Sequence, residues 1–197
     1  MPNRNSLWHT LTRWWRGPTH SVVAIALAWA VVAEASLGGQ VVTQPALKAA
    51  FLYNFAKFAE WPSDAASTSP LTLCVIEDNA VDDALSQLVR GSVINGRPVA
   101  VQRGSHDRLR ACHLAYFGGT DVDRVIAMLD EIKGAPVLTV SDGEQFARMG
   151  GVIGLFLEDG KMRFAVNADA AQRGGVRLSS RLLTLAKLVK DLRHVQP

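Results

Sequence analysis

From Leu71 onward, short apolar runs alternate with stretches whose apolar residues recur every three or four positions. A largely apolar run of about six residues suits a buried strand, whereas three- and four-residue spacing suits a helix lying on it. Residues 71–76 read as the first such strand, and Asn79 as the cap of a helix carrying Val81, Leu85 and Leu88, stopped by Gly91. Residues 112–117 read as a second strand, followed by a helix with Val122, Val125, Ile126, Leu129 and Ile132 on one side. Residues 136–140 read as a third, followed by a brief helix capped by Ser141 and Asp142. Two hairpins interrupt the alternation. Asn95-Gly96 joins arms at 92–94 and 97–102, with Pro98 pushing the second arm toward an edge, and Glu158-Asp159-Gly160 joins arms at 152–157 and 161–167. One or two helical turns follow to Arg173, and a last helix from Ser179 or Ser180 is expected to bury Leu182, Leu185, Ala186, Val189 and Leu192. Together these features predict a single α/β domain, a mixed β-sheet covered by helices on both faces in three layers, with the first and last helices sharing a face.

The first helix is expected over residues 46–62. Pro45 suits a first helical position, and Pro62 disfavours helix at Trp61. At 100° per residue, Leu47, Ala50, Phe51, Asn54, Phe55, Phe58 and Trp61 fall in one arc, which predicts a core-facing stripe. Asn54 sits inside that stripe, and a buried amide there needs a specific hydrogen-bond partner. On the other side Tyr53, Lys57 and Glu60 lie close together, the surface this helix has left to offer a partner.

Ahead of the domain, Arg4, Arg13 and Arg16 precede twelve unbroken apolar residues at 22–33 and a small-x-small site at Ala33-Glu34-Ala35. This is the three-part pattern of a secretory signal, too short for a membrane span of about 20 residues. Cleavage is expected after Ala35, leaving a flexible lead at 36–45. The other reading is an uncleaved anchor held at an interface by Trp14, Trp15 and Trp29. Removal of 1–35 leaves 18 basic and 17 acidic residues, so the basic character belongs largely to the signal and argues for no nucleic-acid partner.

Both cysteines, Cys74 and Cys112, fall in the exported part, where an even pair is bridged more often than free; two buried thiols are the other reading. No Walker loop, nucleophile elbow or metal-binding helix motif occurs, so no catalytic residue, cofactor or metal is expected. Asp142 and Glu144 are paired carboxylates only superficially, since capping and surface roles suit both. Several donors gather near one strand end: Arg163, Asn167, Arg173, Arg177 and Ser179. Converging on one cleft, they would bind a carboxylate or phosphate, the basis of an alternative reading as a periplasmic small-ligand receptor.

The string K-A-A-F-L-Y-N-F-A-K-F-A-E-W-P at 48–62 resembles the opening helix of the YfiR-like proteins, periplasmic regulators of membrane-bound diguanylate cyclases. The resemblance continues through L-T-L-C-V-I at 71, I-N-G-R-P-V at 94, A-C-H-L at 111 and P-V-L-T-V-S-D at 136. It extends through G-G-V-I-G-L-F-L-E-D-G-K-M-R-F-A-V-N at 150 and R-L-S-S-R-L-L-T-L-A at 177, which suggests a YfiR-like domain over 46–194. The resemblance implies a non-enzymatic repressor that binds the periplasmic sensor domain of an inner-membrane diguanylate cyclase. It also implies lowered cyclic di-GMP and biofilm formation, a homodimer, and an outer-membrane lipoprotein antagonist. Cys74 and Cys112 match a pair that is disulfide-bonded in the family. A second cysteine pair found in some members around 150–154 is missing here, and Ala165 stands where a Glu is common.

Overall fold

The computed structural model describes residues 44–62, 69–119 and 121–192; the expected signal segment, and the lead up to residue 43, lie outside these. In chain order the elements are α1 (Gln44–Lys57), β1 (Ala59–Glu60), β2 (Leu71–Ile76), α2 (Asn79–Leu88), β3 (Val93–Ile94) and β4 (Arg97–Arg103). A 3-10 turn (His106–Ala111) leads to β5 (Leu114–Phe117), α3 (Val122–Glu131), β6 (Leu138–Asp142) and α4 (Glu144–Arg148). The chain continues with β7 (Ile153–Glu158), β8 (Lys161–Val166), α5 (Ala168–Arg173), β9 (Arg177–Leu178), α6 (Ser180–Leu185) and β10 (Lys187–Leu188).

Eight strands form one mixed sheet in the order β10-β8-β7-β6-β5-β2-β4-β3. Neighbours from β4 through β7 are parallel, and both hairpins attach antiparallel strands, β3 to β4 and β8 to β7. The hairpin turns hold Asn95 and Gly96, then Asp159 and Gly160, at positive φ, the reason these residues occur there. A separate ribbon pairs β1 with β9, Ala59 opposite Leu178 and Glu60 opposite Arg177.

Side chains alternate across the central strands. Leu73, Val75, Leu114, Tyr116, Leu138 and Val140 meet α1, α2, α5 and α6 on one face. Cys74, Ile76, Ala115 and Phe117 meet α3, α4 and the 3-10 turn on the other, which gives the three layers. Burial of each large apolar side chain contributes about 1.5–3 kcal/mol before chain entropy is counted.

Three local expectations are corrected. The first helix stops at Lys57, and Trp61 lies beyond it in the chain, its indole N–H donating to the His113 carbonyl at 3.0 Å. Capping falls one residue earlier for α2, where the Asp78 carboxylate accepts from the Val81 N–H at 3.1 Å. The last helix is only six residues long, and the chain then turns into β10, which pairs in parallel with β8 at Ala165 and Val166. Val189 is buried there, while Leu185 and Leu192 are exposed. A short strand can satisfy part of the edge of β8, which a longer helix would leave unpaired.

Candidate functional site

The largest correction concerns the first helix. Its buried residues are Ala49, Leu52, Phe55 and Ala56. The two alanines let the helix sit close against its neighbours, and Leu52 and Phe55 fill the core beside them. Most of the expected core stripe is thereby rotated into an open groove. Leu47, Ala50, Phe51, Asn54 and Phe58 form one wall, Arg181, Leu182 and Leu185 of α6 the other, and Phe55 with Phe164 the floor. The groove encloses about 320 Å³. Its floor is fixed by edge-on ring contacts, Phe55 to Phe164 at 5.1 Å between centroids and Phe51 to Phe164 at 6.1 Å. Leu185 is 70% exposed. Asn54 is exposed rather than buried, and its amide donates to the Ala50 carbonyl one turn back at 2.8 Å.

Of the three residues expected to meet a partner, Tyr53 and Lys57 lie on α1 outside the groove. Lys57 is exposed and lies 5.5 Å from the centre of the half-buried Tyr53 ring. Glu60 is past the helix, on β1, where its carboxylate accepts from Arg177 at 3.0 Å across the ribbon. Tyr53 and Lys57 are thus in contact, and Glu60 belongs to a neighbouring element.

The structure does not bring the expected anion-binding donors into one cleft. Asn167 is fully buried, its amide donating to the Ala147 carbonyl at 2.8 Å and its oxygen capping α5 at the Ala170 N–H, 2.9 Å away. Arg163 faces Glu158 at 3.7 Å on the outer hairpin, and Arg173 pairs with the buried Asp191 at 2.8 Å. Arg177 engages Glu60, and Ser179 caps α6 through the Leu182 N–H. Each donor is committed to a different local partner.

Asp142 and Glu144 are also separated by their partners. Asp142 accepts from Lys48 and from the Tyr116 hydroxyl. Glu144 is held by Lys187 and Arg148, whose hydrogen bonds, Lys187 first, keep its carboxyl below the usual range. Among the described residues no cluster of three or more His, Cys, Asp or Glu side chains is placed to hold a metal.

Cys74 and Cys112 form a disulfide with Cα atoms 5.9 Å apart. It joins β2 to the residue following the 3-10 turn, inside the core beneath α3. The pairing implied by the family resemblance is therefore present.

The sequence reading missed the groove because its residues looked like core. One signal for it was available. Leu47, Phe51, Asn54 and Phe58 are spaced four, three and four residues apart, the seam of a helix that meets another helix, while Ala49, Leu52 and Ala56 offer a second face. A helix with two apolar faces has more than one surface to cover.

A family model described as YfiR/HmsC-like matches residues 45–187, from the first turn of α1 to the start of β10. That family is known for periplasmic, non-catalytic regulators of diguanylate cyclases. No described helix is long and apolar enough to cross a membrane. With the match covering most of its length, including both cysteines and the helix that walls the groove, the chain belongs to the YfiR/HmsC-like family.

Proposed function

We propose that this chain is a periplasmic repressor that binds the sensor domain of an inner-membrane diguanylate cyclase and lowers cyclic di-GMP output. The observation that carries this reading is the family match over residues 45–187. The arrangement around α1 agrees with a binding role: its functional side chains form a surface rather than a reaction centre. Export through a signal peptide cleaved after Ala35 places the mature domain beside such a sensor. A homodimer and an outer-membrane lipoprotein antagonist are compatible with the same reading.

Tyr53, Lys57 and Glu60 form the first surface assigned to the partner. Deletion of the gene is expected to raise cyclic di-GMP and biofilm formation, and the wild-type gene supplied in trans to restore both. Unchanged cyclic di-GMP in the deletion strain would end the proposal. Lys57→Glu tests the surface separately, because repression that survives charge reversal removes Lys57 from it.

A further inference from the structure

Resting on that reading, we infer that the groove between α1 and α6 docks an amphipathic α-helix of the cyclase's sensor domain, with a carboxylate on that helix meeting Arg181. The seam argues for a helix. Leu47, Phe51, Asn54 and Phe58 recur at spacings of four, three and four, so they stay on one face of α1 for three turns, the stripe a second helix can pack along. From Leu47 to Phe58 the seam runs about 16 Å, close to three turns of a partner. Leu182 and Leu185, three apart on α6, form the facing wall, and the aromatic floor is already packed. Docking therefore needs little reordering of the groove itself.

The charge at the rim argues for the partner's character. Arg181 is exposed, and its guanidinium lies 5.9 Å from the centre of the Phe58 ring with no carboxylate partner among the described residues. Lys57, on the outer side of the same helix, likewise has none. Nearby cations are paired by contrast, Arg177 with Glu60 and Lys187 with Glu144. An incoming helix bearing Asp or Glu on its flank meets the uncompensated Arg181 in the groove wall, while Lys57 adds positive potential from the neighbouring side of α1, which favours encounter as well as register. Asn54 gives one amide N–H to Ala50, and among Leu47, Phe51, Asn54 and Phe58 it is the one polar side chain. A single polar position of this kind selects one alignment of two helices.

The test uses the mature chain in a strain deleted for its gene, together with the membrane cyclase whose removal abolishes the rise in cyclic di-GMP. Leu185→Glu and Arg181→Glu alter exposed side chains, and thermal melts confirm that each variant is folded. Each is expected to weaken binding to that cyclase in membranes about tenfold or more, and to let cyclic di-GMP climb toward the deletion level. A Glu-to-Lys or Asp-to-Lys change on the sensor helix is expected to restore binding to Arg181→Glu. Wild-type repression by both variants, in a strain where deletion does raise cyclic di-GMP, overturns the groove while leaving the repressor reading intact. Loss of self-association with unimpaired repression overturns it in favour of a second copy. Dodecanoate binding that Arg181→Glu abolishes, with cyclase binding retained, overturns it in favour of a fatty-acid site. If deletion leaves cyclic di-GMP unchanged and the wild-type chain binds no cyclase-containing membrane, the underlying reading falls and the inference falls with it.

Discussion

Lys48 and Asp142, 94 residues apart in sequence, meet at 2.7 Å, and the same ammonium reaches the Tyr116 hydroxyl at 3.1 Å. The contact fixes the N-terminal half of α1 over the carboxyl ends of β5 and β6, so the wall of the groove is tied to the sheet by charge as well as by packing. The Lys48 side chain is 15% exposed and that of Asp142 46%, so water screens part of the attraction. Lys48→Met is expected to cost about 1 kcal/mol, because the aliphatic stem remains while both hydrogen bonds are lost. A urea midpoint equal to that of the wild type would show that α1 is held by its apolar contacts alone.

Tyr116 responds to alkali in a defined direction. Burial first, and then the carboxylates of Asp142 and Asp78, push its ionisation far above the ordinary value near 10. In the folded chain the phenol keeps a proton that the unfolded chain releases, so this group's stabilising contribution is complete below pH 10 and declines as pH rises above it. The decline approaches about 1.4 kcal/mol per pH unit. Tyr116→Phe is expected to be somewhat less stable near pH 8 and to lose stability less steeply above pH 10. Denaturant titrations of both proteins across that interval give the slope, and parallel curves would contradict the assignment.

Asn167 makes its contacts inward, and its substitution should therefore be felt as stability. Truncation to Ala removes the α5 cap and leaves the buried Ala147 carbonyl without its donor, an expected loss of about 2–4 kcal/mol. Asn167→Asp keeps the cap but turns a donor into an acceptor opposite that carbonyl, so it is also expected to destabilise. Arg177→Ala, at a side chain 83% exposed, is expected to stay within about 0.5 kcal/mol of wild type. Equal effects at the two positions, measured by chemical denaturation, would contradict the separation of their roles.

The alternation of strand and helix was legible because each central strand is buried on both faces and each turn carries its own chemistry. Asn95-Gly96 and Asp159-Gly160 both adopt the positive φ values that their residue types favour. The site was less legible for a physical reason. A partner-binding seam and a core stripe are written in the same apolar residues, and only competition between the two faces of α1 decides which is buried. The face of Ala49, Leu52 and Ala56 wins because its two small side chains let the helix sit close while Leu52 fills the core, a packing property that hydrophobicity alone does not report. The arginine cluster failed for another reason: proximity in sequence near Asn167 does not fix direction, and Arg163, Asn167 and Arg177 leave their elements toward three different partners. Leu192 misled because a helical period continued past the point where the edge of β8 captured the chain, and Leu185, the last residue of α6, misled because it faces the open groove.

The Cys74–Cys112 bridge spans a separation of 38 residues and closes a loop containing the end of β2, α2, β3, β4 and the 3-10 turn. Chain-entropy reasoning assigns such a closure about 4 kcal/mol at most, and native relaxation reduces the figure. Cys74→Ser with Cys112→Ser is therefore expected to lower stability by about 2–4 kcal/mol, with the fold retained. Both sulfur-bearing residues are nearly inaccessible, at 2% and 4% exposure, so reduction of the native protein needs a local opening around the 3-10 turn. Thiol titration of the unreduced protein in denaturant is expected to find no free thiol, and mild reductant without denaturant to act slowly. The groove lies on the opposite face of the sheet from the bridge, since Phe51, Phe55 and Phe58 pack with the first core and Cys74 and Cys112 with the second. The double variant is thus expected to melt earlier yet bind the cyclase with wild-type affinity below its melting range. A loss of affinity while the chain is still folded would show that the two faces are coupled through β2.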